Sequence, residues 1–191
     1  SDVGTLATHT ATIAWGDGTT TSGTVNATAK TVAASHTYAE SGTYTATVTV
    51  RDDENAPGSA SLTVTVTNAA PVVTAGANQT ITEGGTASVS ASYSDAGTLD
   101  THTATIAWGD GTTTSGTVNA TAKTVAASHT YAESGTYTAT VTVTDDEGGS
   151  ASASLTVTVT NAAPVVTAGA NQTITEGGTA SISASYADAG T

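Results

Sequence analysis

Along most of the chain apolar and polar residues alternate one for one, the period of a strand with one face turned to a core. Residues 86–95, TASVSASYSD, place Ala87, Val89, Ala91 and Tyr93 on one face. Residues 135–146, GTYTATVTVTDD, set Tyr137, Ala139, Val141 and Val143 against threonines. Residues 153–161, ASLTVTVTN, do the same with Leu155, Val157 and Val159. Residues 102–111, HTATIAWGDG, bring Ala104, Trp108 and either Ile106 or Ala107 toward that core. Threonine and valine are β-branched and suit a pleated, half-buried surface. No segment carries helical spacing. Many short strands parted by turn residues predict an all-β fold, a β-sandwich.

The pattern itself recurs. Trp15 and Trp108 stand 93 residues apart, and residues 1–98 laid on residues 94–191 differ at nine positions: 3, 7, 51, 55, 56, 57, 58, 89 and 94. Five of the nine sit at 51 and 55–58, where RDDENAPGS replaces TDDEGGSAS, which marks an exposed loop. TNAAPVV occurs at Thr67 and again at Thr160, and its proline is a linker signal. Residues 68–160 therefore form one complete module. Residues 1–67 are the back part of a preceding module, and residues 161–191 are the front strands of a following one. Neither end segment is expected to fold alone; together they would make one module. The expectation is a window on a tandem array, or fragments that complement each other between molecules, head to tail.

Two details sharpen the sandwich to an immunoglobulin-like one. Trp108 lies on a strand where such folds bury a tryptophan. Tyr137 follows AESG, the place of a tyrosine corner whose hydroxyl bonds back to the turn. WGDGTTTSG, followed by SHTYAESGTYTATVTVTDDEGGSASASLTVTV, closely resembles the polycystic kidney disease (PKD) domain, above all the tandem PKD-type repeats of large bacterial surface proteins and adhesins. The signature residues are Trp15, Asp17, His36, Tyr38 and Tyr44 in the first copy. In the second they are Trp108, Asp110, His129, Tyr131 and Tyr137. The resemblance implies immunoglobulin-like PKD repeats in an extracellular spacer or interaction role, and no catalysis.

Composition bounds the partners. The formal charge is −13, and the only basic side chains are Lys30, Arg51 and Lys123. Such a surface repels phosphate backbones, so nucleic acid is not an expected partner. No apolar run approaches the roughly 18 residues of a bilayer span. Cysteine is absent, which removes disulfides and thiolate metal sites. Low lysine, abundant threonine and no cysteine fit a secreted or surface protein of a prokaryote. The expected partners are neighbouring identical modules, head to tail in one chain or in an assembled fibre. A polysaccharide or other surface ligand is left open.

Each candidate site has a plainer reading beside it. Asp110-Gly111 is a two-residue hairpin signal, so GDG reads as a turn that holds Trp108, with Asp110 as a cation ligand the alternative. His129, in SHTY, reads as a structural hydrogen bond in the turn before Tyr137. Its metal and general-base readings lack a partner at ligand spacing. The run Asp145-Asp146-Glu147, matching Asp52-Asp53-Glu54, is either a solvated acidic loop or a Ca²⁺ site. In immunoglobulin topology it shares a pole with the loop holding Asp95 and Asp100. Asp2, the earlier equivalent of Asp95, joins this tentative set. Similar PKD-like modules of bacterial collagenases bind calcium, but Asp100 is replaced by Ala7 in the other copy, and no EF-hand pattern is present. Catalytic residues are not expected: no Gly-x-Ser-x-Gly elbow occurs, and a carboxylate pair for sugar cleavage needs a cleft. The Thr-x-Thr runs read as the outer face of a sandwich rather than an ice-binding face. The Asn-x-Thr sequons at Asn26, Asn78, Asn119 and Asn171 read as incidental.

Overall fold

The computed structural model describes residues 8–190, and among these every regular element is a strand. The chain divides into two compact units. The first holds residues up to Ala69 together with Asp95–Asp100, and the second holds Ala70–Ser94 and the residues from Thr101 on. Asp2 lies outside the described residues.

The first unit is one five-stranded sheet in the order β3-β2-β1-β4-β5. Its strands are β1 (Thr10–Ala14), β2 (Thr20–Asn26), β3 (Thr31–Ala33), β4 (Gly42–Arg51) and β5 (Pro57–Val66). All neighbours are antiparallel. The alternation turns Ala11, Ile13 and Ala46 inward, while Leu62 stays 55% exposed. The loop Asp95–Asp100 belongs here too: the Thr98 N–H donates to the Ala39 carbonyl at 3.0 Å.

The second unit contains a closed sandwich. One sheet runs β10-β9-β13-β14-β7 and the other β11-β12-β8-β6. In chain order the strands are β6 (Val72–Thr74), β7 (Gln79–Thr82), β8 (Thr86–Ser94), β9 (His102–Ala107), β10 (Thr113–Ser115), β11 (Thr117–Asn119), β12 (Thr124–Thr130), β13 (Gly135–Asp145) and β14 (Ser150–Thr160). The one parallel pair is β7 with β14, where Val157 faces Gln79 and Val159 faces Ile81. The inner residues of both sheets meet in a single core. Ala87, Val89, Ala91 and Tyr93 of β8 pack toward Ile106, Trp108, Ala139, Val141, Leu155 and Val157. The open choice on β9 resolves to Ile106, which is fully buried, with Ala107 outside. An immunoglobulin-like β-sandwich is thus the fold of the complete module.

Gly116 marks where the chain leaves one sheet for the other, between β10 and β11. A Cβ there would stand 2.6 Å from Val125 Cγ1 and 2.9 Å from Ile106 Cδ1, so the crossing needs a residue without one. Outside, the Thr-x-Thr runs form cross-strand hydroxyl pairs: Thr140 with Ser154 at 2.9 Å and Thr142 with Ser152 at 2.8 Å. Thr47–Ser61 and Thr49–Ser59 repeat them in the first unit. The sequon asparagines are also in use. Asn26 and Asn119 accept from the N–H three residues on, and Asn78 accepts from Thr156 N.

After β14 the chain forms a hairpin of β15 (Val165–Ala168) and β16 (Ala184–Ala187), exposed on both faces. No helix among the described residues is long and apolar enough to cross a membrane.

Candidate functional site

The tryptophan turn is the densest polar constellation. β9 ends at Ala107 and β10 begins at Thr113, so the connection is longer than the two-residue hairpin the sequence suggests. The Trp108 N–H donates to the Thr112 carbonyl at 3.0 Å. Gly109 and Gly111 take φ of 86° and 93°, values that favour glycine. Two left-handed glycines flank Asp110 and turn its carboxylate back over the loop. One oxygen accepts from the Thr112 N–H at 2.9 Å and the Thr112 hydroxyl at 2.6 Å. The other accepts from His129 Nε2–H at 2.6 Å.

That last bond changes the role of the histidine. His129 lies on β12, not in the turn before Tyr137, and it ties β12 to the β9–β10 loop. Its ring stacks on Trp108 with centroids 5.0 Å apart. Tyr131, two residues on along the chain, donates its hydroxyl to the Trp108 carbonyl at 2.8 Å, and the indole N–H donates to the Thr114 hydroxyl at 2.9 Å. Tyr137 is the tyrosine corner: its hydroxyl donates to the Glu133 carbonyl at 3.0 Å, and its ring packs against Tyr131. Trp15, Asp17, His36, Tyr38 and Tyr44 repeat the arrangement, with the His36–Asp17 contact again 2.6 Å.

The electrostatics follow from the bonds. Partial burial works to raise the Asp110 pKa, but the hydrogen bonds from Thr112 and His129 outweigh it and hold the carboxyl at about 2. Asp17 is likewise at about 2, chiefly through the Thr19 hydroxyl. Burial, with Asp110 and Tyr137 adding to it, pushes the Tyr131 phenol up to about 12. Asp110 is a carboxylate saturated with donors, and its His contact uses Nε2, the same nitrogen that approaches Thr112 Oγ1 at 3.4 Å. A relay needs the two imidazole nitrogens on different partners, so this arrangement clamps a turn rather than activating a nucleophile.

The acidic turns are built differently. Asp145 ends β13 and is buried; its Oδ1 accepts from the Gly149 N–H at 2.6 Å and closes the turn into β14. Asp52 does the same through Ala56 N at 2.7 Å. Asp146 Oδ1 accepts from the Thr101 N–H at 2.9 Å, which joins the acidic turn to the start of β9. Glu147, Asp53 and Glu54 are exposed on their turns. Asp95 and Asp100 lie in the loop that belongs to the first unit: Asp95 accepts from Gly97 N at 3.2 Å, and the buried Asp100 carboxylate fills the space over Gly97.

One residue escaped the sequence reading. Glu83, buried in the β7–β8 connection, accepts from the Ser134 N–H at 3.0 Å and the Ala162 N–H at 3.1 Å. Those bonds, led by the one from Ala162, hold its pKa below the usual carboxylate range. It fastens the Asn-Ala-Ala-Pro exit to the body of the sandwich. The available signal was a lone charge in ITEGG, between a strand and two glycines.

A strand-paired tryptophan turn, a tyrosine corner and an immunoglobulin-like core define a class of small β-sandwich modules. The PKD domain family model matches residues 1–67 and 68–160, and the chain belongs to that family. Its repeats are tandem PKD domains, modules of extracellular and secreted proteins. Among solved structures it is similar to the PKD domain of an M14-like peptidase from Thermoplasmatales archaeon SCGC AB-540-F20. That match has 27% identity, covers 49% of this chain and 99% of the other, and has a TM-score of 0.40. The PKD1 domain of Vibrio anguillarum Epp matches with 27% identity over 49% of this chain and 98% of the other, TM-score 0.35. The PKD1 domain of the Vibrio cholerae metalloprotease PrtV matches with 23% identity over 48% and 99%, TM-score 0.32. No curated protein matches the chain.

Proposed function

We propose that the chain is a non-catalytic spacer from an extracellular stalk, adhesin or fibre of a prokaryotic cell, in which PKD modules follow one another head to tail. The observation that carries this reading is the fastened exit of the complete module. Glu83 takes the N–H of Ala162, so the linker leaves the sandwich in a set direction instead of swinging freely. Pro164 stiffens the same stretch by restricting the residue before it. A spacer holds distance only if its links are stiff.

The aromatic residues support the same reading. A polysaccharide- or protein-binding accessory module would display rings. Among the described residues Tyr186 is the only aromatic side chain that is mostly exposed, and its equivalent in the complete module, Tyr93, is in the core. The acidic turns enter as hairpin turns, each closed by its own aspartate, with Glu147, Asp53 and Glu54 turned to solvent. Melting curves with calcium and with a chelator test that part: coincident curves are expected, and an upward shift with calcium assigns the turns a cation.

The spacer reading is tested by small-angle scattering on arrays with increasing numbers of modules. The maximum dimension should grow in proportion to module number, and Glu83→Ala in every module should shorten it. An array that scatters as a random string of beads with Glu83 intact rules the reading out.

A further inference from the structure

The Asn-x-Thr sequons at Asn26, Asn78 and Asn119 share a motif but not a setting. Asn119-Ala120-Thr121 opens the turn between β11 and β12, and residues 119–122 are all exposed. Asn119 Oδ1 accepts from the Ala122 N–H at 2.9 Å. A backbone N–H can bond only to the oxygen of a carboxamide, so this contact fixes which branch of the amide is which. It holds the side chain in one pose and leaves Nδ2 on the other branch. Asn26-Ala27-Thr28 repeats the arrangement between β2 and β3: residues 26–30 are exposed, and Asn26 Oδ1 accepts from the Ala29 N–H at 2.9 Å. The sequon of Asn78 is tied into the sheets instead. Asn78 Oδ1 accepts from the Thr156 N–H of β14 at 2.8 Å, Thr80 pairs with Thr158, and Gln79 exchanges bonds of 2.7 and 3.0 Å with Ser88.

We infer that the turns opening at Asn119 and Asn26 are acceptor sites for N-linked glycan in the folded modules, and that Asn78 is not. A sequon acceptor needs a surface loop in a secreted chain, and PKD domains are modules of extracellular and secreted proteins. The donor is an oligosaccharide joined through its reducing-end C1 to a lipid diphosphate. Asn119 Nδ2 attacks that C1 and forms the N–C bond. The C1–O bond to the diphosphate breaks, the lipid diphosphate leaves with the electron pair, and one Nδ2 proton passes to a base of the transferase. At Asn78 the same attack would first have to pull the sequon backbone away from β14.

Charge points to the same turns. The formal charge is −13, yet the only two lysines, Lys30 and Lys123, each stand four residues after a sequon asparagine, at the end of its turn. A cation there attracts an anionic diphosphate that the rest of the surface repels. Both lysines take left-handed φ, 55° and 53°, where glycine or asparagine would serve the turn at less cost. The positive charge thus stands where the backbone disfavours it. Lys123 also lies over the Tyr93 ring, 5.3 Å from its centroid, which anchors it at the turn. β11 is the edge strand of its sheet, and a sugar at its end covers part of that edge. Exposed edges of near-identical neighbours are templates for wrong pairing, and a bulky, solubilising group opposes it. The inference stands independently of the spacer reading: an array without sugar can be stiff, and a glycosylated chain need not be a stalk.

The test gives the folded 191-residue chain to detergent-solubilised membranes that hold an oligosaccharyltransferase and its lipid diphosphate-linked oligosaccharide. Asn171→Gln removes the fourth sequon from the count. Peptide mapping reads each site, and enzymatic release of the sugar marks every occupied asparagine by its conversion to aspartate. A peptic digest of the same chain, in which no sheet remains, runs alongside. In the folded chain sugar should appear at Asn26 and Asn119 and be missing from Asn78; in the digest Asn78 should gain it too. Thr121→Ala should abolish modification at Asn119 and leave Asn26 unchanged, with the melting transition of the complete module unaltered. A folded chain that takes no sugar at Asn119 overturns the inference, whatever the digest does. So does a folded chain modified at Asn78 as fully as at Asn119, or modification of Asn119 that survives Thr121→Ala. An Asn78 that stays bare in the digest overturns it as well, because the fold is then not what excludes that site.

Discussion

The single sheet at 8–67 and the sandwich at 68–160 set one sequence in two surroundings. Trp108 is fully buried, and Trp15, in the same ten-residue context, is only partly so. Val141 is fully buried and Val48 partly. The residues are equally apolar, so what differs is the opposing layer. Yet the tryptophan turn is the same in both, down to a 2.6 Å histidine–aspartate contact. Turn chemistry is local and survives without the second sheet. Burial is a property of the pair of layers.

The largest expected departure is at tryptophan. Trp108→Ala should cost the complete module about 3–5 kcal/mol, the usual range for emptying a core aromatic site. Trp15→Ala should cost clearly less, and separate denaturant transitions for the two units would measure both. If the two losses are equal, the first unit is covered in solution. Next comes leucine: Leu155→Ala should lose about 2–5 kcal/mol. Leu62→Ala should stay within about 0.5 kcal/mol, as a surface change does, when measured with the chain monomeric.

At histidine the two units should converge. His129→Ala should cost about 1 kcal/mol, discounted because its carboxylate partner is largely solvated. His36→Ala should lower the first unit's midpoint in the same direction, and a loss in one unit alone breaks the view that the turn is local.

The smallest effects are those of pH. The folded pKa of Asp17 and Asp110 lies near 2, below the ordinary value of 3.8. Their stabilisation is therefore complete above pH 4 and is lost as pH falls through 2. Both units should weaken together in acid. In alkali they should part. Tyr131 is raised from 10 to about 12, so its contribution is complete below pH 10 and lost as pH climbs toward 12. Tyr38 is raised as well, by burial first and then by Asp17 and Tyr44, but it is less enclosed. Phenolate absorbance should show Tyr38 ionising before Tyr131.

Much of this was legible in the letters. Alternation identified Ala87, Val89, Ala91 and Tyr93 as one face, and the repeat identified equivalent residues in the two copies. The tyrosine corner was readable from AESG before Tyr137. The tryptophan turn was read as tighter than it is, because Asp-Gly signals a short hairpin, whereas Asp110 here serves a longer loop by gathering Thr112 and His129. His129 was assigned to a turn because its partner is 19 residues away in sequence. Glu83 was missed for the same reason: its donors sit 51 and 79 residues on.

By itself, then, the sequence determined which residues point inward, where strands turn and how often the module recurs. Those depend on side-chain period and on glycine and aspartate preferences that act over a few residues. Only the tertiary structure decided which inward faces are buried, that residues 127–130 are strand while the identical 34–37 are not, and which carboxylates clamp distant backbone. Each of those needs a partner brought up from far along the chain, and a strand edge or an apolar face has no final state until that partner arrives.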